Sequence, residues 1–151
     1  MPKLTSYKVR VATYLIIGSF VPLMPKVKTR TAEIYLDKDL ILHIVMLNDV
    51  VVDYEDALDN FLVVKRFVKE RHCCKLIDIR CKCHFEAKAK QFLDTKDVQG
   101  KTLCRALLIN SSVKKITLNY FLKFNSQKVP TKFFTEYNEA ISWLKSYKQT
   151  I

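Results

Sequence analysis

From Thr31 onward the chain alternates short apolar runs with amphipathic stretches, and the two periodicities separate strands from helices. Glu33–Leu36 and Leu40–Leu47 are rich in Ile, Leu, Val and Tyr, and Asp37-Lys38-Asp39 between them suits a tight turn. They predict a β-hairpin. Asp53 stands as a helix N-cap, with Glu55 and Asp56 in the first turn where the helix dipole favours acids. Ala57, Leu58, Phe61, Leu62, Val64, Lys65 and Val68 continue at helical spacing to a basic end at Lys69 and Arg71. Cys74–Ile79 then reads as a buried strand. Phe85, Ala89, Phe92 and Leu93 share one side of a second, shorter helix over residues 85–93, with Lys88 and Lys90 on another. Residues 94–101, polar and containing Gly100, read as a loop, and Cys104–Ile109 as a strand covered on both faces. Asn110, Ser111 or Ser112 can cap a third helix running to about Lys123. Thr131–Phe134 reads as the last strand, and Thr135 as the cap of a final helix that packs Ala140, Ile141, Trp143 and Leu144 inward. Strands alternating with helices at these lengths predict an α/β fold, a mixed open β-sheet of about five strands covered by about four helices.

The first 30 residues break this pattern. Lys3, Lys8 and Arg10 precede an apolar run, Val11 to Met24, interrupted by Gly18, Ser19 and Pro22. The run resembles a signal-peptide core, but no small-x-small cleavage site follows, and it falls short of the ~20 residues of a membrane span. Alternatively Met24 is the native start and residues 1–23 come from an upstream start assignment. The expected division is therefore a non-native or disordered N-terminal extension over 1–30 and one domain over 31–151.

Composition narrows the classes further. Of 151 residues, 49% are hydrophobic and 27% charged, a balance too apolar for disorder. The net charge of +11 suggests a phosphate polymer as partner, yet the six bases of residues 1–30 meet no acid and supply more than half of it. Nucleic-acid binding is accordingly the weakest of three partner classes. The five cysteines form an odd set without a disulfide-framework spacing, so reduced thiols in the cytoplasm are expected.

Three strings carry a resemblance: KLIDIR at 75–80, RALLINS at 105–111 and PTKFFTEYNEAISWL at 130–144. With the element order, they resemble the STAS-like superfamily, the fold of bacterial anti-sigma factor antagonists, and within it the uncharacterised bacterial members. The resemblance implies a domain that works by contact with a protein partner. In the superfamily's regulatory branch a Ser at the start of the helix after the central strand is phosphorylated. Here the corresponding stretch, residues 78–86, contains no Ser or Thr, which departs from that pattern.

Candidate chemistry is sparse. His72, Cys73, Cys74, Cys81, Cys83 and His84 flank one strand, but its two ends are roughly 20 Å apart, so no four-ligand metal site is expected. Cys81 and Cys83 near a helix N-terminus would favour thiolates, without a Cys-x-x-Cys motif to support redox work. His43 lies within the hairpin and is expected to be a satisfied strand residue. With Gly18 and Gly100 the only glycines, no phosphate-cradling loop or nucleophile elbow is present, and neither catalysis nor a cofactor is expected. The residues singled out for partner binding are Asp78, Arg80, Cys81, Cys83 and His84, with Ser111 and Ser112 on the neighbouring strand-end loop. The apolar stripe on 113–124 is the preferred surface for a protein partner or a homodimer. An apolar small-molecule or lipid carrier, which would need a pocket under that stripe, is the alternative.

Overall fold

The computed structural model describes residues 25–113 and 129–148. Its main sheet has six strands, β1 (Val27–Lys28), β2 (Ala32–Leu36), β3 (Ile41–Met46), β5 (Cys73–Asp78), β7 (Thr102–Leu108) and β8 (Thr131–Phe134), in the order β1-β2-β3-β5-β7-β8. The first three pair antiparallel and the last four parallel. A separate two-stranded parallel ribbon joins β4 (Val50–Val52) to β6 (Cys83–Phe85). Among the described residues the α-helices are α1 (Tyr54–Val68), α2 (Ala87–Leu93), the single turn α3 (Lys96–Gln99) and α4 (Tyr137–Lys148).

The hairpin, the long first helix, the two central strands and the last strand–helix unit follow the expected pattern. The structure differs from or adds to that pattern in several places, beginning with the single turn α3 over Lys96–Gln99, where a loop is expected. Residues 48–52, for which no element was expected, hold a further strand: Asn48 and Asp49 interrupt the apolar run, with Asp49 at a φ of 55°, and Val50–Val52 leaves the main sheet to form β4. The second helix begins at Ala87 rather than Phe85, because Cys83–Phe85 is taken up by pairing with β4. Ser111–Val113 forms a turn of 3₁₀-helix, and the expected continuation of that helix to Lys123, with its apolar stripe, lies outside the described residues. Strand β1 pairs with β2 from within the segment before residue 31.

Alternation along the strands divides the core between two faces. On one, Ala32, Ile34, Leu42 and Met46 pack beneath Ala57, Val64, Phe67 and Val68 of α1 and Ala89 of α2. On the other, Ile41, Cys74, Leu76, Cys104, Ala106 and Leu108 lie under Ala140 and Leu144 of α4.

Polar groups fix how α1 meets the sheet. Asp53 Oδ1 accepts from the Asp56 amide at 2.9 Å, and Asp56 Oδ2 accepts from the Asp53 amide at 3.0 Å, a reciprocal capping box. Arg30 donates from Nε to Asp56 Oδ1 at 2.7 Å and from Nη2 to the Val51 carbonyl at 2.7 Å. One side chain thus ties β1's end, β4 and the start of α1 together. Asn60, buried one turn further on, donates to Thr31 Oγ1 at 3.0 Å and accepts from Thr29 Oγ1 at 2.6 Å.

His43 is 1% exposed, stacked on Tyr35 with ring centroids 4.6 Å apart, and its Nε2 lies 2.8 Å from Asp37 Oδ2. Asp37 also accepts from the Asp39 and Ile41 amides, closing the hairpin turn around Leu40, whose φ is 58°. The expectation of a satisfied histidine therefore holds for one ring nitrogen, while Nδ1 is buried without a hydrogen-bond partner.

Candidate functional site

The C-terminal ends of the parallel strands β3, β5, β7 and β8 form one rim of the sheet, the edge where open α/β sheets present their loops. Asp78 closes β5 there. Its carboxylate takes a fork from Arg80, Nε to Oδ1 at 3.0 Å and Nη2 to Oδ2 at 2.7 Å, and also accepts the Arg80 amide at 3.1 Å. The pair is asymmetric in exposure: the Arg80 side chain is 46% exposed and Asp78 13%. The Asp78 hydrogen bond, opposed by burial, holds the guanidinium protonated above its ordinary pKa, and Glu136 before α4 adds attraction. Chemically, this is a fixed, half-exposed planar cation.

Arg80 is followed by a loop stitched to the end of β3. Cys81 Sγ donates to the Leu47 carbonyl at 3.4 Å, the Lys82 amide donates to Asn48 Oδ1 at 2.9 Å, and the Asp49 amide donates to the Lys82 carbonyl at 2.7 Å. These bonds launch the β4–β6 ribbon, where His84 and Val51 are register partners and both exposed, Val51 at 50%. Asn48 and Asp49 were not singled out from the sequence, although two adjacent polar residues between the apolar runs 44–47 and 50–52 are a readable break signal.

The structure brings Asp78, Arg80 and Cys81 together, and carries Cys83 and His84 onto the ribbon beside them. Ser111 and Ser112 are exposed beyond β7, and Ser112 is turned onto Asn110 Oδ1, which accepts from both its amide and its hydroxyl. The ribbon changes the reading of the thiols. Cys83 sits in a strand rather than at a helix N-terminus, and burial, with the Cys81 thiol beside it, pushes its pKa up to about 12. At pH 8 its thiolate fraction is then about one in ten thousand, so iodoacetamide labelling of native protein at Cys83, followed by peptide mass mapping, is expected to run about 1000-fold slower than in urea. Labelling at equal rates in both would overturn the assignment.

Among the described residues, no group of three or more His, Cys, Asp or Glu could hold a metal ion. A cavity of about 70 Å³, bordered by Leu36, Leu40, Phe67, Val68 and Leu103, lies at the opposite end of β5 from the rim. Small-molecule sites usually enclose about 300–1,000 Å³. No described helix is long and apolar enough to cross a membrane.

A mainly parallel sheet entered through an antiparallel hairpin, with α4 packed on the face opposite α1 and α2, defines a STAS-like, SpoIIAA-like α/β domain. Within that class the chain belongs to the family described as Domain of unknown function (DUF7793), which matches residues 34–148. Its fold is similar to that of an uncharacterized protein of the DUF3478 family from Shewanella loihica PV-4, crystallised and described as having a SpoIIAA-like fold. The two share 18% identity over 75% of this chain and 91% of the other, with a TM-score of 0.56. A protein of unknown function from Arthrobacter sp. FB24 shares 26% identity over 78% of this chain and 95% of its own, with a TM-score of 0.26. No curated protein matches the chain.

Proposed function

We propose that this chain is a non-enzymatic interaction domain that binds a protein partner through the rim at Asp78 and Arg80. The observation that carries the reading is the fork itself. A guanidinium fixed by a largely buried carboxylate loses little entropy on docking, and Arg is enriched among residues that dominate protein–protein affinity. Beside it the ribbon offers exposed Val51 and His84, an apolar and a polar contact on one small projection. Without a Ser or Thr over residues 78–86, control by phosphorylation at the superfamily's usual position has no acceptor here. The rim acts as a fixed recognition surface.

Replacement of Arg80 by Glu is expected to lower affinity for the partner by tenfold or more, while unfolding stability changes by no more than about 1 kcal/mol. The test compares wild type, Arg80→Glu and Leu62→Ala as baits in host extract, with quantitative mass spectrometry of each capture. A protein held by wild type and Leu62→Ala but lost with Arg80→Glu supports the rim. Equal recovery on all three baits rejects it.

A further inference from the structure

Beneath α4, at the opposite end of β5 from the rim, the side chains of Cys74 and Cys104 stand side by side. They are register partners on adjacent parallel strands, so they leave the sheet on the same face with Cα atoms about 5 Å apart. Disulfides span Cα separations of roughly 4.4–6.8 Å. The two thiols also hydrogen-bond to each other, which brings sulfur against sulfur. One position earlier the ladder shifts, between Cys73 and Cys74, and leaves Leu103 of β7 without a partner on β5. At such an irregularity pairing constrains the backbone least, so the strands can adjust as an S–S bond closes. Cys73 and Lys75 belong to the other face. There burial raises the Cys73 thiol against the pull of Lys75, whose ammonium lies 3.5 Å from the Val98 carbonyl of α3.

A buried thiol is inert unless a reagent can reach it. The cavity of about 70 Å³ between the C-terminal ends of α1 and α4 supplies the route: Cys74 forms part of its wall, and the exposed Arg71, His72 and Lys148 line the side that meets the surface. That space is too small for an organic ligand and holds a few molecules the size of water. Its charge suits a thiolate. The hydrogen bond from Cys104, opposed by burial, lowers the Cys74 pKa, and Lys148, which also donates to the Asp39 carbonyl, adds attraction. The same hydrogen bond, together with burial, raises Cys104. The two sulfurs are therefore unequal, with the ionisable one on the cavity and the protonated one, 0% exposed, behind it.

We propose that Cys74 and Cys104 are a thiol pair oxidised by hydrogen peroxide, with Cys74 as the sulfur attacked through the cavity and Cys104 as the one that resolves it. The Cys74 thiolate forms an S–O bond as the peroxide O–O bond breaks, and the departing hydroxide takes a proton from solvent to become water. Cys104 sulfur then bonds to Cys74 sulfur as that S–O bond breaks, and the thiol proton of Cys104 leaves with the hydroxide as a second water. Two thiols are oxidised to one disulfide and one peroxide is reduced to two waters. Cys81 and Cys83 lie at the far end of β5 and take no part, so this site stands or falls independently of the rim.

The test treats the reduced full chain at about pH 7.5 with hydrogen peroxide, blocks the remaining thiols with N-ethylmaleimide in urea, and maps peptides without reduction. Wild type is expected to yield a crosslinked peptide whose fragmentation joins Cys74, not Cys73, to Cys104, and dithiothreitol is expected to release it. Cys104→Ala is expected to stop at a Cys74 sulfenic acid that dimedone captures. Cys74→Ser is expected to lose the crosslink and to consume peroxide at least about tenfold more slowly. Cys83→Ser is expected to keep both. Five alkylated thiols in wild type, after a peroxide dose that oxidises free cysteine, would overturn the proposal without recourse to any variant. A crosslink through Cys73, Cys81 or Cys83 in place of Cys74 would do the same.

Discussion

Leu144→Ala is expected to lower unfolding stability by about 2–5 kcal/mol, the cost of removing a fully buried leucine and leaving a cavity that cannot collapse. Leu144 is 0% exposed, and α4 covers the sheet face formed by Ile41, Cys74, Leu76, Cys104, Ala106 and Leu108. Those residues stand on β-strands locked in register, so the sheet cannot move up to fill the space as a loop would. Urea unfolding followed through Trp143, the only tryptophan and a neighbour of Leu144 on α4, measures the loss. The midpoint is expected to fall with the slope unchanged. Leu62→Ala, at a 47% exposed position on α1, is expected to cost no more than about 0.5 kcal/mol. Equal costs at the two sites would contradict the packing of α4.

Asp56→Ala is expected to cost about 1–3 kcal/mol, because one buried carboxylate serves both the capping box and the link from Arg30. The lower part of that range reflects Arg30, whose side chain is 61% exposed and recovers hydration when its partner is removed. A double-mutant cycle with Arg30→Ala separates the ion pair from the cap. The acid response has a definite sign. Arg30's hydrogen bond lowers the pKa of Asp56 against the opposing effect of burial, helped by the Asp53 amide. Burial would raise Asp37, but bonds from His43, Ile41 and Asp39 outweigh it and leave that carboxyl lowered too. Both folded values lie below the unfolded ones, so both contributions are complete above about pH 4 and disappear as pH falls through the folded values. Stability measured in urea is expected to drop on acidification below about pH 4, and Asp56→Ala is expected to flatten that drop. An acid slope unchanged by the substitution would assign the titration to other groups.

Much of the candidate site was legible as residues but not as a surface. Asp78 and Arg80 are two positions apart in the chain, and an acid closing an apolar strand before a base is a local pattern, so their pairing could be anticipated. The ribbon beside them could not, because Val50 meets Cys83 only when two distant segments are brought together. Cys83 was read as a residue near a helix N-terminus, where a thiol ionises readily, and pairing with β4 instead buries it and makes it a weak acid. Lys75 gave no signal at all, since a lysine inside an apolar strand reads the same whether its ammonium reaches solvent or lies under a neighbouring turn.

The sequence by itself determined the α/β class, the ends of α1, the strands β5 and β7 and the last strand–helix unit. Those features are written in local terms, a capping acid, a helical stripe or a run of apolar residues, whose energies act over a few neighbouring positions. Only the tertiary structure decided that Val27–Lys28, Val50–Val52 and Cys83–Phe85 are strands, which thiols are buried, and that Lys75 and Arg105 stand side by side on one face of the sheet. Strands of two or three residues have too little propensity to stand alone. They exist because a partner strand, supplied from elsewhere in the chain, satisfies their backbone hydrogen bonds.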